Sequence, residues 1–324
     1  MRIPSTPLMC LALAVLALSG CTASVDGAAT PQGMHYRDKL TGGTSVDDLV
    51  ERDTTRLLDP CGMLDESSVN ALGPSLYFGI GQQLDECVVR LDRAALTQGV
   101  TTVGVSLSVL PDFSGDQFRV GNRRASALRM DDTCFIALQY NQRRAFHYSA
   151  TARAGIDPCT PLRAIVTASA PLLEHNPLRV NSTRIPNTRG ATKDPCAALD
   201  TAFDAKQKFY LRAFSPYDCD AWLGDYTSSD SNRFSISVFN VAKSQATYVP
   251  AQARKLLLAG VDSVEESGTG DHCSIRAYVG VGQPFPTRSW DGTPEDRIEA
   301  VKISGPGCTE TRNLAVAAVK AYQN

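Results

Sequence analysis

The sequence predicts an α+β protein built as two tandem repeats, each an antiparallel sheet with a short N-terminal helix, a C-terminal helix and two disulfides. Three observations carry this. Asp59-Pro60-Cys61-Gly62-Met63-Leu64-Asp65 recurs 135 residues later as Asp194-Pro195-Cys196-Ala197-Ala198-Leu199-Asp200, a shared D-P-C-x-x-L-D pattern. Each copy is followed by three more cysteines in the same order, Cys87, Cys134 and Cys159 after the first, Cys219, Cys273 and Cys308 after the second. Strand-like runs follow one another without a regular helix between each pair, which is the α+β rather than the α/β pattern.

Each element has a local reason. Asp59 and Asp194 are suited to cap the short helix that follows, with proline in the first turn where its missing N–H costs nothing. Residues 100–110 alternate Val103, Val105, Leu107 and Val109, and residues 234–241 alternate Phe234, Ile236 and Val238, as half-buried strands do. Residues 145–150 and 298–303 are further strand candidates. The third cysteine of each copy opens a run rich in residues that suit a sheet, 134–140 and 273–279. The fourth opens a terminal helix, 160–174 and 309–322, with Leu314, Ala317, Ala318 and Ala321 at helical spacing in the second. Domains are expected over 57–178 and 194–324, joined by a solvated basic linker at 179–193 that holds Arg179, Arg184, Arg189 and Lys193 and no acid.

The N-terminus reads as a secretion signal over residues 1–20: Arg2, an apolar run from Leu8 to Leu18, then small residues. Leu18-Ser19-Gly20-Cys21 matches a lipobox, so cleavage is expected between Gly20 and Cys21, with lipid on the Cys21 thiol. Acyl chains contribute roughly 0.8 kcal/mol per buried methylene, which places the protein on the outer face of a cell membrane without crossing it. Residues 21–56, glycine-bearing and poor in large apolar side chains, are expected to be mostly a flexible tether. With Cys10 lost and Cys21 lipidated, the eight remaining cysteines of an exported chain are expected to form disulfides. Four per repeat allow three connectivities, and the sequence does not choose among them. The pairing adopted is Cys61 with Cys87, Cys134 with Cys159, Cys196 with Cys219 and Cys273 with Cys308. It closes the most local loops, and it leaves the variable spacing between second and third cysteines outside every bridge.

Most chemistries are excluded. Net charge is −2 with no long block of like charge, which argues against nucleic acid. Cys-x-x-Cys, His-x-x-x-His and His-Glu-x-x-His spacings are all missing, so no metal is expected, and no cofactor motif occurs. No nucleophile elbow, Ser-x-x-Lys, P-loop or Rossmann fingerprint is recognisable, and no catalytic residue is assigned. Gly79-Ile80-Gly81 reads as a turn. His147 and His272 read as structural or surface histidines, Asp131-Asp132 and Glu265-Glu266 as solvated turn acids, and Asn181-Ser182-Thr183 as an incidental sequon. Phe285 and Trp290, in a proline-flanked loop, are the aromatic candidates for a ligand surface. The cleft between the two repeats is another.

A lipobox, D-P-C-x-x-L at the domain opening, a second cysteine about 25 residues on, a third before a strand and a fourth before the last helix together resemble the actinobacterial lipoprotein family named domain of unknown function 3558, here present twice. The pattern is more distantly similar to the two-disulfide extracellular sensor domains of actinobacterial serine/threonine kinases. The resemblance implies an exported, compact, disulfide-bonded α+β domain and carries over no activity. The function expected is a non-catalytic, lipid-anchored envelope protein that binds a ligand or a protein partner. A hydrolase or transferase with an unrecognised site is the alternative.

Overall fold

A computed structural model describes residues 35–107, 114–142, 144–228, 230–268, 271–289 and 292–324. The chain first lays down β1 (Leu40–Gly43) and α1 (Val46–Arg56). Ser45 and Asp48 form a capping box, the Ser45 hydroxyl accepting the Asp48 N–H and the Asp48 carboxylate accepting the Ser45 N–H. One face of α1 is buried, and it consists of Leu49, Arg52, Thr55 and Arg56 rather than an apolar stripe. The tether expected over 21–56 is therefore folded from Tyr36 onward. Its poverty in large apolar residues concealed a helix held by buried guanidinium groups.

The first repeat opens with a 3-10 turn at Cys61–Met63, where Asp59 Oδ1 accepts the Cys61 N–H at 2.8 Å, and continues into α2 (Glu66–Asn70). Seven strands follow: β2 (Ser75–Ile80), β3 (Glu86–Leu91), β4 (Val100–Ser106), β5 (Asp116–Val120), β6 (Arg123–Met130), β7 (Thr133–Gln139) and β8 (Ala145–Ala152). They form one antiparallel sheet in the order β2-β3-β4-β8-β7-β6-β5. α3 (Cys159–Ser169) packs on β7 and β8, burying Leu162, Ile165 and Val166. Of the segment read as a turn, Gly79 and Ile80 lie inside β2, and Gly81 opens the turn between β2 and β3.

The second repeat follows the same plan. After a 3-10 turn at Pro195–Ala198 and α4 (Leu199–Ala202) come β9 (Phe209–Arg212), β10 (Asp218–Leu223), β11 (Arg233–Ala242), β12 (Ala253–Leu258), β13 (Val261–Ser267), β14 (His272–Ala277), β15 (Phe285–Arg288) and β16 (Pro294–Pro306). The spatial order β9-β10-β11-β16-β14-β13-β12 matches the first sheet strand for strand. α5 (Cys308–Gln323) packs on β14 and β16 as α3 packs on β7 and β8. All four disulfides join first cysteine to second or third to fourth, with Cα separations of 5.0, 5.2, 5.3 and 5.1 Å. One bridge of each repeat ties the opening turn to a strand, and the other ties a strand to the closing helix.

Two additions distinguish the second sheet. β1, from before the first repeat, pairs in parallel with β9 and covers that edge. β15 is an arm on β16 that reaches the first repeat, where Arg90 donates to the Arg288 carbonyl at 2.9 Å. The core runs through both repeats, and the turn before β3 meets the second sheet through a bridge between Gln83 and Phe239 and through Asn240, whose amide donates to the carbonyls of Gly81 and Gln82. Residues 34–324 thus make one compact unit. The linker at 179–193 is packed rather than solvated: Arg179, Ile185, Gly190 and Ala191 are buried, and the Gly190 N–H donates to Glu299 at 3.0 Å. Two of its residues, Arg179 and Gly190, bond to buried acceptors, which a count of charges along the sequence does not reveal.

Candidate functional site

The two D-P-C turns sit at corresponding places, and each is met by the segment that precedes the other repeat. At the second turn, Asp194 is surrounded. Arg52 Nη2 donates to its Oδ1 at 2.5 Å, while the Tyr36 hydroxyl and Arg37 Nη2 donate to its Oδ2 at 2.7 and 3.2 Å. Burial alone would raise the Asp194 carboxyl, but Arg52 and Arg56 hold it well below the usual carboxylate range. Burial, and then the neighbouring Asp194 charge, push the Tyr36 phenol up. The space left beside Asp194, toward Val238 and Tyr322, is about 10 Å³, at the limit of a single water.

The first turn is open. Beside Asp59 lies a pocket of about 350 Å³, within the size range of small-molecule sites. Asp59, Gly62, Asp65, Glu66, Phe78 and Arg184 line it, with Asn181-Ser182-Thr183 on the rim. Asp59 is 7% exposed. Its Oδ1 takes the Cys61 N–H, and among the described residues no cation lies within 4.0 Å of its carboxylate and Oδ2 accepts no hydrogen bond. Asp65 spends Oδ1 on the Ser68 N–H as the cap of α2. Arg184 is committed elsewhere: it pairs with Glu66 at 2.6 Å and stacks 3.9 Å from the centre of the Phe78 ring. Gly62 is needed for the floor, because a Cβ there would lie 2.6 Å from Pro177 Cβ.

The Ser182 hydroxyl oxygen already accepts the N–H groups of Arg184 and Ile185, no histidine lines the pocket, and Cys61 is held in its disulfide. The pocket is an anionic concavity with one aromatic wall and, among the described residues, no counter-cation on Asp59.

The residues singled out from sequence fall elsewhere. Gly20, Cys21 and Trp290 lie outside the described residues. Phe285 is 6% exposed, packed into the core where β15 pairs with β16, so its reading as an exposed ligand-binding aromatic is corrected. The arm that carries it joins the repeats instead. His272 is exposed at the start of β14 and His147 half-buried in β8. Asp131 takes the positive-φ position of the β6–β7 turn. Glu265 is not a turn acid: it is buried in β13 and held by a two-pronged Arg312 at 2.5 and 2.9 Å. Glu265, Cys273 and Cys308 come close enough to suggest a metal, but both sulfurs are in the disulfide and the carboxylate is taken by arginine.

Sequence reasoning missed the pocket because no motif marks it. The signal was present in Asp59, half of the repeated D-P-C. What the sequence does not carry is that arginines before the first repeat reach Asp194 while those after it leave Asp59 alone. It also missed a buried acid pair between the repeats. Asp85, bonded to Ser215 at 3.1 Å, is pushed up to about 7 by burial and by nearby Asp218. Asp218 is pushed up to about 6 by burial and then by Asp220. Among the described residues no helix is long and apolar enough to cross a membrane. Compared with protein-family models, curated proteins and solved structures, the chain matches none.

Proposed function

We propose that this chain is a lipid-anchored, non-catalytic binding protein on the outer face of a cell membrane, resembling the lipoproteins of domain of unknown function 3558, and that the first repeat takes the ligand. One observation carries the reading. Of two equivalent D-P-C turns, the second is filled by the chain's own side chains, and the first keeps a pocket of about 350 Å³ beside a buried carboxylate. A buried charge without a counter-ion is costly, and a bound ligand can supply the partner. The second repeat then serves as the structural half, sealed by α1 and β1.

The anchor and the ligand are tested separately. Replacing Cys21 by Ser is expected to release the protein from the membrane fraction, and equal retention of the variant overturns the anchor. Mass spectrometry of the native protein, isolated from its own envelope under non-denaturing conditions, is expected to reveal a co-purifying molecule that Phe78→Ala loses. If the same molecule is recovered with that variant, the pocket is not its site.

A further inference from the structure

We infer that the pocket of the first repeat takes a ligand bearing a guanidinium or ammonium group, which pairs with Asp59 in the way Arg52 pairs with Asp194. This rests on the reading of that pocket as the ligand site and names the chemistry it selects. The protein contains its own template. In the second repeat, a carboxylate whose Oδ1 accepts the Cys196 N–H at 3.0 Å is completed by a guanidinium at 2.5 Å and a phenol at 2.7 Å. In the first, the equivalent carboxylate makes the same cap bond and, among the described residues, nothing further. The half-made arrangement is anionic throughout, because Asp65 has no cation within 4.0 Å among the described residues and Glu66 already neutralises Arg184. A bound cation would gain a charge-assisted hydrogen bond to a desolvated carboxylate, the stronger kind. An anionic ligand would meet three carboxylates and one committed arginine. Phe78, with Arg184 over its ring, gives the pocket an apolar side against which the stem of a basic group can lie.

The same chemistry has two sources, a free small amine or a basic side chain of a peptide. Titration calorimetry of the full chain in detergent micelles compares agmatine, which carries a guanidinium and an ammonium, with Nα-acetyl-arginine amide, a side chain in a peptide setting, and with glutarate as the anionic control. Both cationic probes are expected to bind and glutarate not to. Tighter agmatine binding identifies a free amine, and tighter binding of the arginine amide a peptide side chain. Asp59→Asn keeps an acceptor for the Cys61 N–H and is expected to weaken the cation by about tenfold or more. Arg184→Gln releases Glu66 and is expected to tighten it severalfold, an effect of opposite sign that a folding defect does not produce. Unchanged agmatine binding in Asp59→Asn, weaker binding in Arg184→Gln, preferential binding of glutarate, or a co-purifying molecule without positive charge overturns the cation inference while leaving a ligand site in place. If no probe binds and nothing co-purifies, both this inference and the ligand-binding reading fall.

Discussion

The two repeats share a strand order, a disulfide order and an opening turn, yet they solve one electrostatic problem in opposite ways. Each sets an aspartate at its D-P-C turn, Asp59 buried and Asp194 partly so. At the second repeat, Arg37, Arg52 and Arg56 reach the aspartate from a segment that precedes the first repeat in the chain. At the first, the corresponding segment is the linker, and its Arg184 turns to Glu66 and Phe78 instead. Duplication therefore preserved the framework while the flanking segments came to differ. In this molecule the difference between a structural half and a candidate binding half lies outside the repeated pattern.

The strongest way to break this contrast is to remove the arginine that seals the second turn. Arg52 is fully buried, with Nη2 on Asp194 and Nη1 3.3 Å from Cys196 Sγ. Arg52→Met keeps the apolar stem but leaves a partly buried carboxylate short of its main partner. Loss of one member of a buried pair costs about 3 to 5 kcal/mol, and the lower end is expected here because Arg37 and Tyr36 still reach Asp194. Denaturant unfolding measures it, and hydrogen exchange is expected to localise the loosening to β9, β10 and the turn at Pro195–Ala198. For the same reason a chain begun at residue 57 should lose protection in the second repeat before the first, since it lacks both β1 and α1.

The second test uses pH, because the acid pair between the repeats and the aspartate of the second turn are shifted in opposite senses. Asp85 is raised to about 7 and Asp218 to about 6, so the folded state binds protons there that the unfolded chain has already released above about 4. More protons bound in the folded state means that stability falls as pH rises from about 4 to about 7. Asp194, held low, acts the other way: its contribution is present above the ordinary carboxylate range and is lost as pH falls below it. Thermal melting is accordingly expected to peak in mildly acidic buffer and to decline toward neutrality. Asp85→Asn, which keeps an acceptor for the Ser215 hydroxyl, is expected to flatten the decline on the alkaline side and leave the acid limb in place. An unchanged profile in that variant removes Asp85 from the account.

How much of this was legible beforehand follows from where each feature is written. Disulfides and some strands are written locally: D-P-C at the turn, cysteines beside strands and helices, and alternation at Val103 and Val105 or Phe234 and Ile236 sufficed to place β4, β7, β8, β11, β14, β16 and the closing helices. The matching sheet order is the physical consequence of duplicating that pattern. Residues 36–56 were not legible, because α1 buries Arg52 and Arg56, and periodicity is sought in apolar side chains. The parallel pairing of β1 with β9, across about 170 residues, has no local signature. Phe285 failed for a related reason, since a proline-rich segment that reads as a loop is here a four-residue strand bonded to β16. As for the pocket, its two halves are the D-P-C aspartate, visible as a repeat, and the missing cation, which appears only when both turns are seen together.

The last prediction sharpens the comparison by its smallness. Arg184 beside the first turn and Arg52 at the second each make a carboxylate contact of similar length, 2.6 Å to Glu66 and 2.5 Å to Asp194. Distance alone would rate them equal. Their settings differ: the Arg184 and Glu66 side chains are 32% and 55% exposed, whereas Arg52 is 0% exposed. An exposed pair gives back most of its Coulomb attraction in competition with water and in side-chain entropy, and contributes about 0 to 1 kcal/mol. Arg184→Gln also gives up its cation–π contact with Phe78, an interaction worth about 0.5 to 1 kcal/mol at exposed sites. The variant is therefore expected to unfold within about 2 kcal/mol of the parent, in denaturant titrations that resolve the larger cost of Arg52→Met. A loss as large as that of Arg52→Met would mean that the linker seals the first turn as tightly as α1 seals the second. The two halves would then be equivalent structural units, and the argument for a binding half would fail at its premise.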